Sequence, residues 1–294
     1  MSGSAWQRLR RSEAGSGYLM VSPPALYAIL LLATPMATVL AFSFLTSTGG
    51  SVSTPFTLAN YAEVWGGRIY QAIMMRSLWV SMTVTLVTVL LAYPIAYFVS
   101  FHVAPSRKSL WLFLITIPFW TSYVIRVSLW RVILGYDGIV DSALIGTGIM
   151  AEPLNILSNG VASIVITLAH AYAPFAILPI FVSLEKVDRS LLEAGQDLGE
   201  SRFVTFLRVT LPLTMPGVIA AVLIVFIPTV GDYVTPELIG GGKVPMIANM
   251  IESQMLKQRD QAVGSAIAIT AMVIVAAVSI VFVLLNRRFL GERK

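Results

Sequence analysis

Six stretches of mostly apolar residues follow one another along the chain, separated by short polar segments. They cover residues 24–45, 77–101, 110–125, 161–184, 212–230 and 262–285. A transmembrane helix needs about 20 mainly apolar residues, whereas strands of a membrane barrel alternate apolar and polar positions over about ten residues. Runs such as 84–91 and 266–285 do not alternate. The pattern therefore predicts an all-α, polytopic membrane protein with six transmembrane helices.

Two segments depart from this simple pattern. Arg126 and Arg131 follow the third stretch inside an apolar run that ends near Leu134. We expect this span to cross the membrane to about Ile125 and to continue as a short interfacial or re-entrant helix, with both arginines as interfacial anchors. Residues 244–260 carry several polar and charged side chains and predict an amphipathic helix lying on the surface.

Composition and charge narrow the class of protein. The chain is 56% hydrophobic and only 12% charged, against about a quarter charged in a soluble domain, so soluble enzymes and nucleic-acid binders are disfavoured. Of the 20 lysines and arginines, thirteen lie in the terminal segments and the loops on their side, and seven on the other side. Because cytoplasmic loops carry the excess of positive charge, both termini are predicted to be cytoplasmic. The first span is too long for a signal peptide and predicts a retained anchor.

The sequence shows no motif for chemistry of its own. It has no cysteine, which excludes disulfides and thiolate metal sites. The Gly242–Lys243 pair lacks the first glycine and the Ser/Thr of a Walker A loop, and the two histidines fall on different spans. We therefore expect one domain, residues 1–294, with no cofactor, no metal site and no catalytic residues.

The most informative segment is the predicted cytoplasmic loop 185–211 after the fourth span. Nine charged residues lie between Glu185 and Arg208. An apolar helix face is followed by Gly199, a helix stop, and Ser201 is an N-cap candidate for a second short helix ending near Arg208. Pro212 then marks entry to the fifth span. The loop is predicted to be a helix–glycine turn–helix with a face for a partner, the alternative being a merely solvated loop.

The spacing of this loop resembles the EAA loop of binding-protein-dependent ABC importer permeases. Glu193, Ala194 and Gly195 are followed after three residues by Gly199, and after nine more by Val209, one residue, Leu211 and Pro212. The family pattern has Ala where Gly195 stands and Ile where Val209 stands.

The resemblance implies a type I ABC importer permease architecture in a bacterial inner membrane. It also implies that Glu193, Ala194, Gly195, Asp197 and Gly199 belong to a coupling helix that docks on a cytoplasmic ATPase. Two such ATP-binding subunits, which hold ATP and Mg²⁺, a second homologous permease and a periplasmic substrate-binding protein would be the partners, together with the lipid bilayer. Nucleic acid would not be a partner.

Three further stretches resemble the permease subunits of spermidine/putrescine importers, with the putrescine type closest. They are residues 93–97, residues 118–121 with Arg126, and residues 231–241. The implied substrate is a small cation such as a polyamine. Relatives carry opines, amino-acid derivatives or iron complexes, so the same architecture with another solute is an alternative. An ion-driven secondary carrier is less favoured, because ionisable residues are scarce in the spans.

A substrate pathway is predicted around Asp232, which ends an apolar run where an unpaired carboxylate is costly and a functional role is the default. A polyamine needs carboxylates and aromatic faces for cation–π contact. The residues that supply these groups are Asp232, Glu237, Tyr233, Trp120 and Tyr123. The structural alternative is that Asp232 pairs with Arg126 or another basic residue and that the aromatic residues only pack.

Overall fold

The computed structural model describes residues 13–48, 51–154, 156, 160–240 and 242–290. Five basic residues of the charge count, and Gly241, lie outside the described residues: Arg8, Arg10, Arg11, Arg293 and Lys294. The chain divides into two compact units, Met1–Val64 with Gln254–Ile269 and Trp65–Ser253 with Thr270–Lys294. Each unit is described separately, and a single transmembrane domain stays a prediction.

The first unit contains a long helix followed by a small hairpin. Its elements are α1 Glu13–Ser43, β1 Thr46–Thr48, β2 Ser51–Ser53 and the start of α2 Ala59–Gly66. The two strands are antiparallel, with Thr46 opposite Ser53. Asn60 is buried, and its Nδ2 donates to the carbonyls of Ser43 at 2.9 Å and Leu45 at 2.8 Å. The first bond satisfies the carbonyl of Ser43 at the end of α1, which the helix itself leaves unpaired, and the second satisfies a carbonyl just beyond it.

The second unit is helical. Its elements are α3 Arg68–Phe101, α4 Pro105–Thr116, a 3₁₀ turn Ile117–Trp120, α5 Tyr123–Ile133, α6 Ile139–Gly146, α7 Gly160–Leu184, α8 Arg189–Asp197, α9 Arg202–Thr205, a π turn Phe206–Thr210, α10 Leu211–Val230, α11 Val234–Leu238, α12 Ile247–Glu252, most of α13 Gln261–Leu285, and α14 Arg287–Leu290. A second π turn, Ser253–Lys257, follows α12.

The described residues contain five helices long and apolar enough to cross a membrane, and six when one bent pair counts as a span. The five are Met20–Ser43, Arg68–Phe101, Gly160–Leu184, Arg202–Val230 and Gln261–Leu285. These match the predicted spans except that the second begins nine residues earlier, at Arg68. The fifth predicted span begins at Arg202 and includes α9, because the π turn joins α9 to α10. A separate short helix ending near Arg208 is therefore wrong. Pro212 has no N–H for the carbonyl of Arg208, and a widened turn accommodates this loss.

The third span is the bent pair. Pro105–Trp120 and Tyr123–Ile133 meet at 90°, because Thr121 and Ser122 have extended backbone conformations that interrupt the helix. A helix continuing to Ile125 is therefore wrong by about one turn, although the expected change to a second, differently oriented helix is confirmed.

The core of the second unit lies where α3, α7 and α10 pack together. Its fully buried side chains include Val84, Ile164, Leu168, Ile180 and Val225. One polar link crosses this core, between the hydroxyls of Tyr93 and Thr214 at 2.8 Å. Between α7 and α10 the backbones approach so closely that a Cβ on Gly217 would lie 2.5 Å from the carbonyl oxygen of Pro179. Small residues at helix contacts in membranes permit such approach.

The segment predicted to be a surface helix is shorter and partly buried. Helix α12 covers Ile247–Glu252, and its Ile247 and Asn249 are buried. The N–H of Ile247 donates to Ser77 Oγ at 2.7 Å, and Asn249 Nδ2 donates to the carbonyl of Tyr233 at 2.8 Å. The predicted amphipathic helix is thus shorter than residues 244–260, and long-range hydrogen bonds attach it to α3 and to the segment after α10.

Candidate functional site

The segment with the EAA-like spacing folds as the short helix α8, a tight turn and then α9, which continues through the π turn into α10. Asp188 caps α8 by accepting from the N–H of Ser190 at 2.9 Å. At the other end Gly199 has φ +85°, and its N–H donates to the carbonyl of Gln196 at 2.9 Å while the N–H of Glu200 donates to that of Gly195 at 3.1 Å. This pair of bonds is a Schellman motif, which favours glycine at the left-handed position. The predicted stop at Gly199 is confirmed.

Gly195 lies where the two short helices meet. It is buried, and an added Cβ would be 3.1 Å from Cγ2 and 3.2 Å from Oγ1 of Thr205. Ser201 caps α9 by accepting from the N–H of Val204 at 3.3 Å, as predicted. The departure of Gly195 from the family's alanine therefore coincides with a close approach of Thr205.

The other residues of the EAA-like pattern have their side chains on the surface of this chain. Glu193, Ala194 and Asp197 are exposed. Leu198, a large apolar side chain in this segment, is also exposed, to 86%. An apolar surface beside acidic groups favours contact with another protein.

An ion pair anchors the start of this segment. Lys108 Nζ lies 2.6 Å from Glu185 Oε1, and Ser100 Oγ donates to the same oxygen at 2.5 Å. Desolvation raises the pKa of Glu185, but the hydrogen bonds from Lys108 and Ser100 outweigh it, so this pKa lies below its ordinary value. The pair links the beginning of α4 to the end of α7.

The predicted pathway carboxylate is buried in the second unit. Asp232 is 7% exposed. Its Oδ2 accepts from the hydroxyl of Tyr123 at 2.9 Å, and its Oδ1 accepts from the N–H groups of Val234 at 3.1 Å and Thr235 at 3.4 Å. Asp232 therefore caps α11, and the structure brings it together with Tyr123 as the prediction grouped them. Thr235, which sequence reasoning missed, completes the cluster through a 2.8 Å hydrogen bond with Tyr123.

Arg126 is placed differently from the prediction. It is 9% exposed rather than an interfacial anchor, and its guanidinium carbon lies 5.5 Å from the ring centre of Phe119 and 5.9 Å from that of Tyr123. Among the residues that the structure describes, Nε and Nη1 of Arg126 find no hydrogen-bond partner. The 90° bend turns α5 inward and so buries Arg126, whereas Arg131 one turn later is exposed. Tyr123 thus has a cation near its ring and a carboxylate on its hydroxyl.

The remaining predicted pathway residues lie on the surface of this chain. Tyr233 is half exposed and Glu237 is exposed one helical turn away, with the N–H of Glu237 donating to the carbonyl of Tyr233 at 3.4 Å. Trp120 is 77% exposed and packs edge-on against Phe113, with ring centres 5.8 Å apart. The side-chain hydrogen bonds described for Asp232 go to Tyr123, Val234 and Thr235 and not to these three side chains.

The chain is similar to known transport proteins over most of its length. Residues 92–291 match the model of the family "Binding-protein-dependent transport system inner membrane component". The chain is 39% identical over 267 residues to the spermidine/putrescine transport system permease protein PotB of Haemophilus influenzae, covering 89% of this chain and 92% of that protein. It is 34% identical to PotB of Escherichia coli, with 87% of this chain and 92% of that protein covered.

A solved structure shares the fold. It is a bacterial alginate ABC transporter in complex with an alginate pentasaccharide-bound periplasmic protein, and one of its chains is similar with a TM-score of 0.73 at 16% identity. The match covers 97% of both chains. The fold is that of an ABC transporter chain, and the family match covers most of this sequence. This chain belongs to the family of binding-protein-dependent transport system inner membrane components.

Proposed function

We propose that this chain is the permease subunit through which a polyamine of the spermidine or putrescine type crosses the membrane. The observation that carries the proposal is 39% identity to a spermidine/putrescine permease over 89% of the chain. The buried carboxylate of Asp232 beside Tyr123 supports it, because a cationic amine is recognised by a carboxylate and an aromatic face in a poorly hydrated site.

In this proposal Asp232 is the contact for an ammonium group, and Tyr123 positions the carboxylate through its hydroxyl. Tyr233, Glu237 and Trp120 contribute from the surface, where a second permease subunit would complete the path. Their exposure within this chain agrees with such sharing.

The segment 185–211 would transmit ATP-driven motion. Glu193, Ala194, Asp197 and Gly199 would meet a cytoplasmic ATP-binding subunit, while buried Gly195 holds the two short helices together. Two such subunits would bind ATP and Mg²⁺, and a periplasmic protein would deliver the substrate. Both termini would then be cytoplasmic, as the charge distribution favours.

The substrate assignment is tested with Asp232→Asn in the reconstituted importer. Asparagine keeps the helix-capping oxygen and removes the negative charge. We expect the KM for spermidine uptake to rise about tenfold or more. This corresponds to the loss of one charge-assisted contact, which contributes about 1.5–3 kcal/mol to binding. Asp260→Asn is the matched control, since Asp260 also caps a helix, accepting from the N–H of Val263 at 3.0 Å. Unchanged uptake kinetics in Asp232→Asn would refute the assignment.

The coupling assignment is tested with Gly199→Ala. Gly148 has a similar φ of +72° and, like Gly199, no atom within 4 Å of an added Cβ, so Gly148→Ala imposes comparable backbone strain elsewhere. We expect Gly199→Ala to reduce spermidine-stimulated ATP hydrolysis and uptake, and Gly148→Ala to leave both near wild type. Equal effects of the two variants would contradict a specific role of the turn.

A further inference from the structure

A groove and a cavity adjoin on one part of the second unit. The groove has a volume of about 620 Å³. Its lining is apolar apart from one cation and two phenol groups: Val89, Leu90, Tyr93, Pro94, Tyr97, Arg202, Phe203, Phe206, Leu211 and Val218. All ten of these residues lie inside two helices long enough to span the membrane, Arg68–Phe101 and Arg202–Val230. The groove therefore runs along the part of these helices that their apolar composition assigns to the membrane.

The second cavity is smaller and polar, with a volume of about 220 Å³. It shares Tyr97, Arg202 and Phe206 with the groove. The other groups that line it include His102, Gln196, Thr205 and Thr210. Thr210 is 1% exposed, and its hydroxyl has no hydrogen-bond partner in the part of the chain that the structure describes. An unsatisfied buried hydroxyl next to a cation favours a polar or anionic occupant.

The polar cavity and the apolar groove follow one another in the same order as the headgroup and the acyl chain of a lipid. His102 directly follows one span and Arg202 begins the other, so the polar cavity lies where both spans end. The apolar groove extends from there along the spans. Basic pockets at the cytoplasmic ends of transmembrane helices are sites for anionic lipid headgroups.

The groove has about the volume of one turn of α-helix, which is about 10–12 Å across and 5.4 Å long, or roughly 400–600 Å³. A slender acyl chain can lie along such an apolar lining, and its anionic headgroup is complementary in charge to Arg202, the cation that both linings share.

We propose that the groove and the cavity together bind one anionic phospholipid, with an acyl chain along Leu90, Tyr93 and Val218 and the phosphate on Arg202. The bound lipid contacts Leu192 and Gln196 of α8 through the polar cavity. It thereby connects the membrane boundary to the segment that carries the EAA-like pattern. The binding itself does not depend on the substrate or on the coupling role.

The test uses the purified importer complex, containing the full chain with its partner subunits, depleted of lipid in neutral detergent. Native mass spectrometry measures binding of phosphatidylglycerol and of phosphatidylcholine with the same acyl chains. We expect phosphatidylglycerol to bind more tightly. Arg202→Gln should weaken the binding of phosphatidylglycerol about fivefold, because a basic residue near an anionic headgroup contributes about 1 kcal/mol. It should leave the binding of phosphatidylcholine unchanged.

Two control pairs make the result specific to this site. Arg208→Gln removes a nearby arginine that is exposed, pairs with Glu200 at 2.7 Å and lies outside both linings. Leu90→Trp fills the groove from an exposed position, whereas Leu86→Trp makes the same change one turn earlier, also at an exposed position. We expect Leu90→Trp to weaken the binding of both lipids. Arg208→Gln and Leu86→Trp should weaken the binding of neither.

Four outcomes would overturn the proposal. Equal affinity of the wild type for the two lipids would show that the site does not select an anionic headgroup. Equal losses of phosphatidylglycerol affinity in Arg202→Gln and Arg208→Gln would show that Arg202 does not bind it. Full competition by inorganic phosphate would show that the acyl chain adds nothing. A photoreactive residue at position 90 that crosslinks only to the second permease subunit would show that protein covers the groove, whereas lipid adducts would support the proposal.

Discussion

Gly217 offers the most direct test of how α7 and α10 pack. A Cβ at this position would lie 2.5 Å from the carbonyl oxygen of Pro179 and 2.6 Å from both Cβ and Oγ of Ser183. Two carbon atoms attract best at about 3.5–4.0 Å, so Gly217→Ala forces the helices apart by about 1 Å. Because the nearest atom belongs to the backbone, a change of side-chain rotamer cannot relieve the contact.

The expected cost follows from two opposing effects. Overpacking a close helix contact destabilises by about 1–3 kcal/mol, while alanine gains about 1 kcal/mol over glycine in a helix. Since Pro179 cannot move independently of α7, we take the overpacking cost from the upper end of its range, about 3 kcal/mol. Subtracting the gain from alanine leaves a net loss of about 2 kcal/mol. This lowers the folded-to-unfolded ratio about thirtyfold and the melting temperature by roughly 5 °C.

The assay is the melting temperature of the assembled importer in detergent, followed by tryptophan fluorescence. Gly146→Ala is the control, because no atom lies within 4 Å of its added Cβ, and it should match or exceed wild type. Ser183→Gly added to Gly217→Ala should recover stability only in part, since Pro179 remains. A melting temperature of Gly217→Ala at or above that of wild type would refute the reasoning.

Two further predictions concern charged groups. At neutral pH, Glu185→Gln and Lys108→Gln should both lower the melting temperature of the complex. Because the folded-state pKa of Glu185 is depressed, its stabilisation is complete above the unfolded value and is lost as the pH falls through the folded value. The difference in melting temperature between each variant and wild type should therefore shrink on acidification. A difference independent of pH would contradict the ion pair. Arg126→Met should raise the stability by about 1–2 kcal/mol, since a buried cation with unsatisfied donors is replaced by an apolar side chain, and a loss above 1 kcal/mol would show that Arg126 is paired in the complex.

Local rules were sufficient to predict the turn of the EAA-like segment. The caps at Ser201 and Gly199 depend on groups within a few residues, so their spacing is visible in the sequence. The contact between Gly195 and Thr205 was not predicted, because it depends on how α8 and α9 meet. The continuation of α9 into α10 was likewise missed, since a π turn around Pro212 has no simple local signal.

The buried cluster around Asp232 shows the same division. Its position after an apolar run indicated a costly carboxylate, and Tyr123 was grouped with it by residue type alone. The structure supplied the actual partners, the hydroxyl of Tyr123 and the N–H groups of Val234 and Thr235. An ion pair between Asp232 and Arg126 was the structural alternative, and the ion pairs among the described residues do not include it.

The sequence by itself determined the class of protein and the spans, because a lipid environment requires about 20 consecutive apolar residues per helix and leaves few alternatives. It also determined the family, through a fixed spacing in one charged loop. Only the tertiary structure decided the 90° bend before α5, the burial of Arg126 and the close approach at Gly217. These features depend on which helix faces meet, and side chains distant in the chain decide that through packing, which no local pattern records.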